Sequence, residues 1–211
     1  MKKILLILLL MLSCGKGKKY HDSKNELAID SEVEQEILDF QKQLNQTFEN
    51  PKTSPLPDRF RKDFEGLDFF PADTTYRIVA KFERTPDAEP FFMPTTTKEK
   101  TEEVVYGIAS FELNGVSHQL EIYQTPSLLS QEKYKDYLFL PFLDETNGEE
   151  TYGGGRYLDL TIPEGDSIII DFNKAYNPYC VYNKKYSCPL VPRQNYLRTK
   201  VRAGVKNFTK D

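Results

Sequence analysis

The sequence predicts a mainly β fold, an antiparallel barrel or sandwich, with one amphipathic α-helix near the N-terminus. Three observations indicate this fold class. Beyond Thr75 the chain alternates apolar and polar residues with a period of two, which is typical of half-buried strands. Clusters of turn-forming residues interrupt the alternation about every ten residues. Aromatic residues, 13 Tyr and 14 Phe without Trp, make up 13% of the chain and supply the apolar area of a packed core.

The N-terminus has the features of an exported protein. A charged start, residues 1–3, precedes the apolar run Ile4 to Leu12, which is too short to span a bilayer. The run closes with Met11 to Cys14, which resembles the lipobox read by bacterial lipoprotein signal peptidase. We therefore predict a lipoprotein signal peptide over residues 1–13 and lipid on Cys14, which would anchor the protein to a membrane of the cell envelope, facing the periplasm. An ordinary signal peptide cut elsewhere is the alternative.

Two segments lead into the predicted β domain. Residues 14–30 are mostly polar and too poor in apolar groups to pack, so they are predicted to form a flexible tether. Residues 31–211 are predicted to form a single β-rich domain that begins with helix 32–49. Ser31 and Glu34 have the spacing of a capping box at the start of this helix. The apolar residues at helical spacing are Val33, Ile37, Phe40, Leu44 and Phe48.

The remaining elements are predicted strands joined by short turns. Asn114-Gly115 is the strongest hairpin signal, because both central residues of such a turn take positive φ. It joins predicted strands at 104–113 and 116–124. The turn Pro163 to Asp166 is predicted to join two further strands as a hairpin. The other predicted elements are a short helical turn at 58–64 and strands at 76–83, 137–143, 156–162, 167–172 and 196–205.

The composition excludes several classes of function. A net charge of −4 gives no basic surface for DNA or RNA, so no nucleic-acid partner is predicted. Two histidines cannot build a three-His zinc site, and Cys180 and Cys188 lack a nearby His. We therefore predict no metal site and no cofactor. With Cys14 acylated in an exported chain, Cys180 and Cys188 are predicted to form a disulfide.

Polar side chains and glycines are dense between residues 144 and 157. Glycines allow a ligand to approach the backbone closely, and the fork of Arg156 can pair with a carboxylate or a phosphate. Arg156 is therefore a candidate for reading an anionic group. The structural alternative is a turn in which Arg156 forms an ion pair with Asp144 or Asp171.

A second polar segment, residues 171–177, follows an apolar run that is typical of a buried strand. Asp171 and Lys174 could act as acid and base, and the two asparagines could bind hydroxyl or amide groups of a ligand. The structural alternative is that Asn and Asp stabilise irregular turns by bonding nearby backbone. The predicted ligand-binding residues of the two segments together are Tyr152, Arg156, Tyr157, Asn173, Lys174, Tyr176 and Asn177.

Long motifs carry a resemblance to a known family. They are Phe64-Glu65-Gly66-Leu67-Asp68-Phe69-Phe70-Pro71, the run Asp144 to Leu158, and the run Asp171 to Cys180, followed by Cys188-Pro189-Leu190. In these motifs the chain, from about residue 60 to its end, resembles the family catalogued as domain of unknown function 1684. The resemblance implies a bacterial or archaeal protein in a family that includes lipoproteins, and it implies no established activity. Gln194 precedes Asn195 where the family pattern leads us to expect Glu, so no carboxylate role is expected at position 194.

Three hypotheses for function follow from the sequence. The first is a cell-envelope lipoprotein that binds a small polar ligand (a sugar, a peptide or an anionic metabolite) in a site lined by Tyr, Asn and Arg. The second is a hydrolase or transferase that uses Asp144 and Asp171 as a carboxylate pair, with Arg156 stabilising negative charge. The third is a structural envelope protein. The sequence leaves open whether the protein is an enzyme.

Overall fold

A computed structural model describes residues 32–208 of the chain. The predicted signal peptide, the Cys14 anchor, the tether and the Ser31 cap lie outside these residues. Within the described range, no helix has both the length and the apolar character needed to cross a membrane.

Helix α1 has the predicted bounds, and seven of the eight strands pair antiparallel. The helices are α1 (Glu32–Glu49) and the one-turn α2 (Asp58–Arg61). The strands are β1 (Arg77–Arg84), β2 (Phe91–Pro94), β3 (Lys100–Leu113), β4 (Val116–Gln124), β5 (Tyr137–Asp144), β6 (Arg156–Thr161), β7 (Ser167–Asp171) and β8 (Tyr196–Leu197).

The strands form one curled sheet, a half-barrel, in the order β6-β5-β4-β3-β1-β7. Strand β2 pairs with β3, and β8 pairs with β5 in parallel. This architecture confirms the predicted mainly β fold with one N-terminal amphipathic helix. The predicted hairpin across Pro163 to Asp166 is wrong, because β6 pairs with β5 and β7 pairs with β1. The two strands are the edges of the half-barrel, and the short turn between them spans its open side.

The main core lies on the inner face of the half-barrel. Alternate residues of β1, β3, β4, β5 and β7 point into it, among them Ala80, Leu120, Leu140 and Ile170, all of which are fully or almost fully buried. Gly107 follows a bulge in β3, and a Cβ there would lie 2.5 Å from the Phe82 ring. The glycine is therefore required for the ring to cross the neighbouring strand.

Two sequence predictions about turns and ends have opposite outcomes. The hairpin between β3 and β4 is confirmed, with φ of 54° at Asn114 and 74° at Gly115. The predicted strand at 196–205 is wrong beyond Leu197. Carbonyl groups in that stretch accept hydrogen bonds from a buried arginine side chain, so they are not available for a strand ladder.

Helix α1 packs on the β domain through its apolar face. Ile37 and Phe48 are buried, and Phe48 lies edge-on to Tyr182 with ring centroids 4.7 Å apart. Phe48 also stacks on Phe64 at 5.7 Å. This aromatic cluster fixes the C-terminal half of the helix beside the segment that follows β7.

Candidate functional site

The predicted anion-reading group, Arg156, lies in a fully buried polar network. Its Nη2 donates to Asp144 Oδ2 at 2.8 Å and to the carbonyl of Val201 at 2.8 Å, and its Nη1 donates to the carbonyl of Ala203. The second oxygen of Asp144 accepts from the backbone and hydroxyl of Thr146 at 2.8 and 2.6 Å. Both side chains of the ion pair are 0% exposed. We call these groups the Arg156 network.

This arrangement matches the structural alternative for Arg156. Burial lowers the pKa of Arg156, and the Asp144 carboxylate opposes that effect. Gly155 has φ of 89°, and a Cβ there would lie 2.5 Å from the carbonyl oxygen of Phe142. The glycine therefore serves close packing of the chain around the network, and neither Arg156 nor Asp144 lines either of the two cavities described below.

The two carboxylates proposed as a catalytic pair belong to separate networks. Asp171 accepts hydrogen bonds from the backbone and side-chain amides of Asn173 at 3.1 and 2.9 Å. Its other oxygen lies 3.5 Å from Arg77 and 4.0 Å from Lys174. Asp144 pairs with Arg156 instead, so the structure does not assemble the two carboxylates around Arg156.

The predicted asparagines also bond to backbone groups. The Asn173 amide donates to the carbonyl of Asp73 at 2.8 Å and accepts from its N–H at 3.0 Å. The Asn177 amide donates to the carbonyl of Lys206 at 2.9 Å. Tyr152 is half-buried, with its ring under Gly154. These contacts hold irregular segments together, which is the role that the structural alternative gave to the asparagines.

Cys180 and Cys188 are both free thiols in the structure, so the predicted disulfide is not formed there. The backbone N–H of Cys180 donates to Cys188 Sγ at 3.2 Å. A hydrogen bond from Cys188 lowers the pKa of the Cys180 thiol to about 6. The same contact, together with burial, raises the pKa of Cys188. The two thiols are therefore direct neighbours with opposite tendencies to ionise.

A cavity of about 560 Å³ lies against the sheet face opposite the main core. We call it the tyrosine pocket. Strands β3, β5 and β6 form its floor, and its walls come from α1, the loop after β4 and the segment after β7. Its polar and aromatic lining comprises Tyr134, Tyr137, Tyr157, Tyr176, Tyr179, Tyr186, Phe40, Phe139, Glu103, Asp159, Thr101, Thr125, Ser127, Ser187 and Cys188.

Two of the predicted ligand-binding residues, Tyr157 and Tyr176, line the tyrosine pocket. Their backbones form a bridge, with N–H to carbonyl distances of 2.9 and 3.0 Å. The Tyr157 hydroxyl donates to the carbonyl of Pro189. Lys174 lines a second cavity, of about 470 Å³, at the opening between β6 and β7.

Asp159 is the most accessible charged group of the tyrosine pocket. It is an exposed residue of β6, and its Oδ1 accepts from the hydroxyl of Tyr137 at 2.9 Å and from that of Tyr176 at 2.6 Å. Burial raises the pKa of both tyrosines, and the nearby Asp159 charge raises it further. The hydroxyls therefore stay protonated and hold the carboxylate in one orientation.

Glu103 is the second carboxyl group of the pocket and is only 2% exposed. The hydroxyl of Thr125 donates to its Oε2 at 2.8 Å. Burial raises the pKa of Glu103, and the hydroxyl contact opposes this only in part. Perturbed carboxyl groups in a cavity are typical of functional sites.

The rings of the pocket meet at steep angles. Tyr157 lies edge-on to Phe139 with centroids 4.8 Å apart and a 79° angle between planes. It is also perpendicular to Tyr176, at 6.0 Å and 88°. Tyr179 and Tyr186 meet at 61°. Such packing fixes the rings, so that the walls of the cavity face in different directions.

Sequence reasoning missed Glu103, Asp159 and most of the tyrosines. One signal was available, since strands near 137–143 and 156–162 were both predicted. Pairing them places Phe139 opposite Asp159, with Tyr137 and Tyr157 on the same face. Glu103 carried no comparable signal, because its position depends on the order of distant strands in the sheet.

Metal ligands do not converge within residues 32–208, where no group of three His, Cys, Asp or Glu side chains has the geometry to hold an ion.

The comparisons with known proteins agree with the fold. No curated protein matches the chain. The solution NMR structure of an uncharacterised protein from gene locus rrnAC0354 of Haloarcula marismortui is similar, with 32% identity and a TM-score of 0.64 over 82% of this chain and 94% of that one. The model of the family described as protein of unknown function (DUF1684) matches residues 62–206. The chain therefore belongs to the DUF1684 family.

Proposed function

We propose that the protein is a lipid-anchored protein of the cell envelope that binds a small polar ligand in the tyrosine pocket. The observation that carries this proposal is Asp159, a carboxylate held by two tyrosine hydroxyls at the wall of an aromatic cavity. Small-molecule sites are usually concave and largely apolar, with a few fixed polar groups that orient the ligand. The pocket has each of these properties.

The geometry favours a sugar or a peptide over an anionic metabolite. Aromatic rings can stack on a sugar or a side chain, and the carboxylates can accept hydrogen bonds from hydroxyl or amide groups. An anionic ligand would need a cation, yet no Lys, Arg or His lines the tyrosine pocket among the described residues. Arg156, on which the anionic alternative depended, is occupied in its own network.

The hydrolase or transferase alternative gains no support from this geometry. It required Asp144 and Asp171 to face each other in an open cleft beside Arg156. Asp144 is instead buried against Arg156, while Asp171 contacts Arg77 and Lys174.

The ligand-binding proposal is tested by native mass spectrometry of protein purified gently from its own membranes. Ser127 lines the pocket, is exposed and has a small side chain, so Ser127→Trp should fill the cavity with little disturbance of the fold. We expect a bound small molecule on the wild type and none on Ser127→Trp. Ser130→Trp is the matched control, since Ser130 is an exposed neighbour that does not line the pocket. An empty wild type, or equal occupancy in both variants, would contradict the proposal.

The anchor is tested separately, through Cys14. The apolar run that ends in Ser13-Cys14 is the basis for proposing lipid at this residue. Cys14→Ala should move the protein from the membrane fraction to the soluble periplasmic fraction. Unchanged membrane association would refute lipidation at Cys14.

A further inference from the structure

We infer that the ligand of the tyrosine pocket carries a positive charge, an organic ammonium group held between the tyrosine rings and the carboxylates of Asp159 and Glu103. This inference rests on the proposed function, because it specifies the chemistry of the ligand at the same site.

The charges of the tyrosine pocket are not balanced. Two carboxyl groups line the cavity, and no Lys or Arg of the described residues lies within 4 Å of either one. In the Arg156 network, by contrast, a buried carboxylate is matched by a guanidinium at 2.8 Å. Glu103 is only 2% exposed, and a buried carboxylate without a cationic partner carries a cost that is reduced when a cation binds beside it. The pocket is therefore electrostatically incomplete in a way that a cationic ligand would correct.

The two oxygens of the Asp159 carboxylate differ in their hydrogen bonding. Both tyrosine hydroxyls donate to the same oxygen, Oδ1. Within residues 32–208, no group donates a hydrogen bond to Oδ2. One oxygen thus fixes the orientation of the carboxylate, and the other is free to contact a ligand. An ammonium group that approaches Oδ2 would meet a charge already oriented, with little entropy left to lose.

The aromatic wall of the pocket also suits a cation. Ammonium ions bind to the faces of aromatic rings, and cages of several rings are the usual site for quaternary ammonium groups. Two rim tyrosines already show this contact with lysines of the chain itself. Lys133 Nζ lies 4.4 Å from the ring centroid of Tyr134, and Lys185 Nζ lies 4.9 Å from that of Tyr186.

The deeper rings are left for the ligand. In the described part of the chain, no Lys or Arg lies over Tyr137, Tyr157, Tyr176 or Tyr179. All four rings are linked to Asp159. Tyr137 and Tyr176 donate to it, Tyr157 packs perpendicular to Tyr176, and the charge of Asp159 acts on Tyr179. The carboxylate and the rings therefore offer a cation two kinds of favourable contact in one place.

The inference is tested with a matched pair of probes, choline and 3,3-dimethylbutan-1-ol, which share their shape and differ in charge. Isothermal titration calorimetry on the wild-type protein should give choline an affinity at least about tenfold higher than that of the alcohol. Asp159→Asn should remove most of this difference and leave the affinity for the alcohol unchanged. Glu112→Gln is the control, because Glu112 is an exposed carboxylate outside the pocket, and it should behave as the wild type.

Equal affinity for the two probes, or no binding of choline at millimolar concentration, would overturn the inference. Either result would leave the proposed function intact if the wild type still carries a co-purifying molecule that Ser127→Trp lacks. If the purified wild type carries no molecule but binds choline selectively over the alcohol, the proposed function fails and the preference for a cation stands. The two proposals therefore fail separately.

Discussion

The Arg156 network and the tyrosine pocket each contain a buried carboxyl group, but only the one in the network has a cationic partner. In the network, Asp144 receives a guanidinium, a hydroxyl and two backbone N–H groups. In the pocket, Glu103 has hydroxyl contact and no cation beside it, and half of Asp159 has no donor. Complete pairing of a buried carboxylate marks a structural element, whereas a carboxyl group left partly unpaired beside a cavity marks a place for a ligand.

The largest expected effect is on stability and comes from Arg156. Arg156→Met would leave the Asp144 carboxylate buried without its partner, so the free energy of unfolding should fall by about 3–5 kcal/mol. Urea denaturation measures this loss. Arg202→Met is the control, since Arg202 forms an exposed pair with Glu150, and it should cost less than about 1 kcal/mol. Equal losses for both variants would remove the distinction between the network and a surface ion pair.

A second effect on stability is expected from a bond between Cys180 and Cys188 at the pocket wall. Cys188 lines the pocket, and its sulfur already contacts the N–H of Cys180. In the exported protein we predict a disulfide, which should add about 2–3 kcal/mol of stability through the short loop that it closes. Intact mass with and without reductant should differ by two hydrogens. Two free thiols in protein isolated from the envelope without reductant would contradict this prediction.

Two glycines with positive φ differ in the space around them. Gly155 packs against the carbonyl of Phe142, whereas Gly148 has open space where a Cβ would lie. Replacing either residue with Ala should cost about 1–2 kcal/mol for the left-handed backbone. Gly155→Ala should cost about 1–3 kcal/mol more, because the new methyl group clashes with backbone. Thermal unfolding of both variants checks the difference, and similar melting temperatures would exclude a packing role for Gly155.

The smallest expected effect is the pH dependence contributed by Glu103. Because burial raises its folded-state pKa, its stabilising contribution is present below the ordinary pKa of 4.5 and is lost as pH rises through the folded value. The wild type should therefore lose stability relative to Glu103→Gln between acidic and neutral pH. Glu102→Gln is the control, since Glu102 is exposed next to it on β3. A constant difference between wild type and Glu103→Gln across this range would show that Glu103 is not perturbed.

Local sequence signals predicted much of the fold. Helix 32–49 and the Asn114-Gly115 hairpin depend on neighbouring residues, and both were found as predicted. Strand β2 was missed because it is short, half exposed and ends in Pro94. The stretch after Leu197 was predicted as strand because its composition does not reveal that Arg156 uses its carbonyl groups.

The candidate site was harder to predict, for a related reason. Dense polar side chains between residues 144 and 157 mark the Arg156 network, where the chain bonds to itself. The pocket depends on Glu103 and Asp159, which are far apart in sequence and meet only through the strand order of the curled sheet. Tyr157 and Tyr176 were predicted as ligand-binding residues because they lie in the two polar segments, 144–157 and 171–177.

The most direct test of the account is amide hydrogen exchange on the protein with its co-purified molecule and on the same protein after that molecule has been removed. Removal should speed exchange in the pocket segments, 134–139, 157–159 and 176–188. Exchange in the network segments, 144–155 and 199–205, should not change. Faster exchange confined to the network segments would place the ligand at Arg156 and contradict the account.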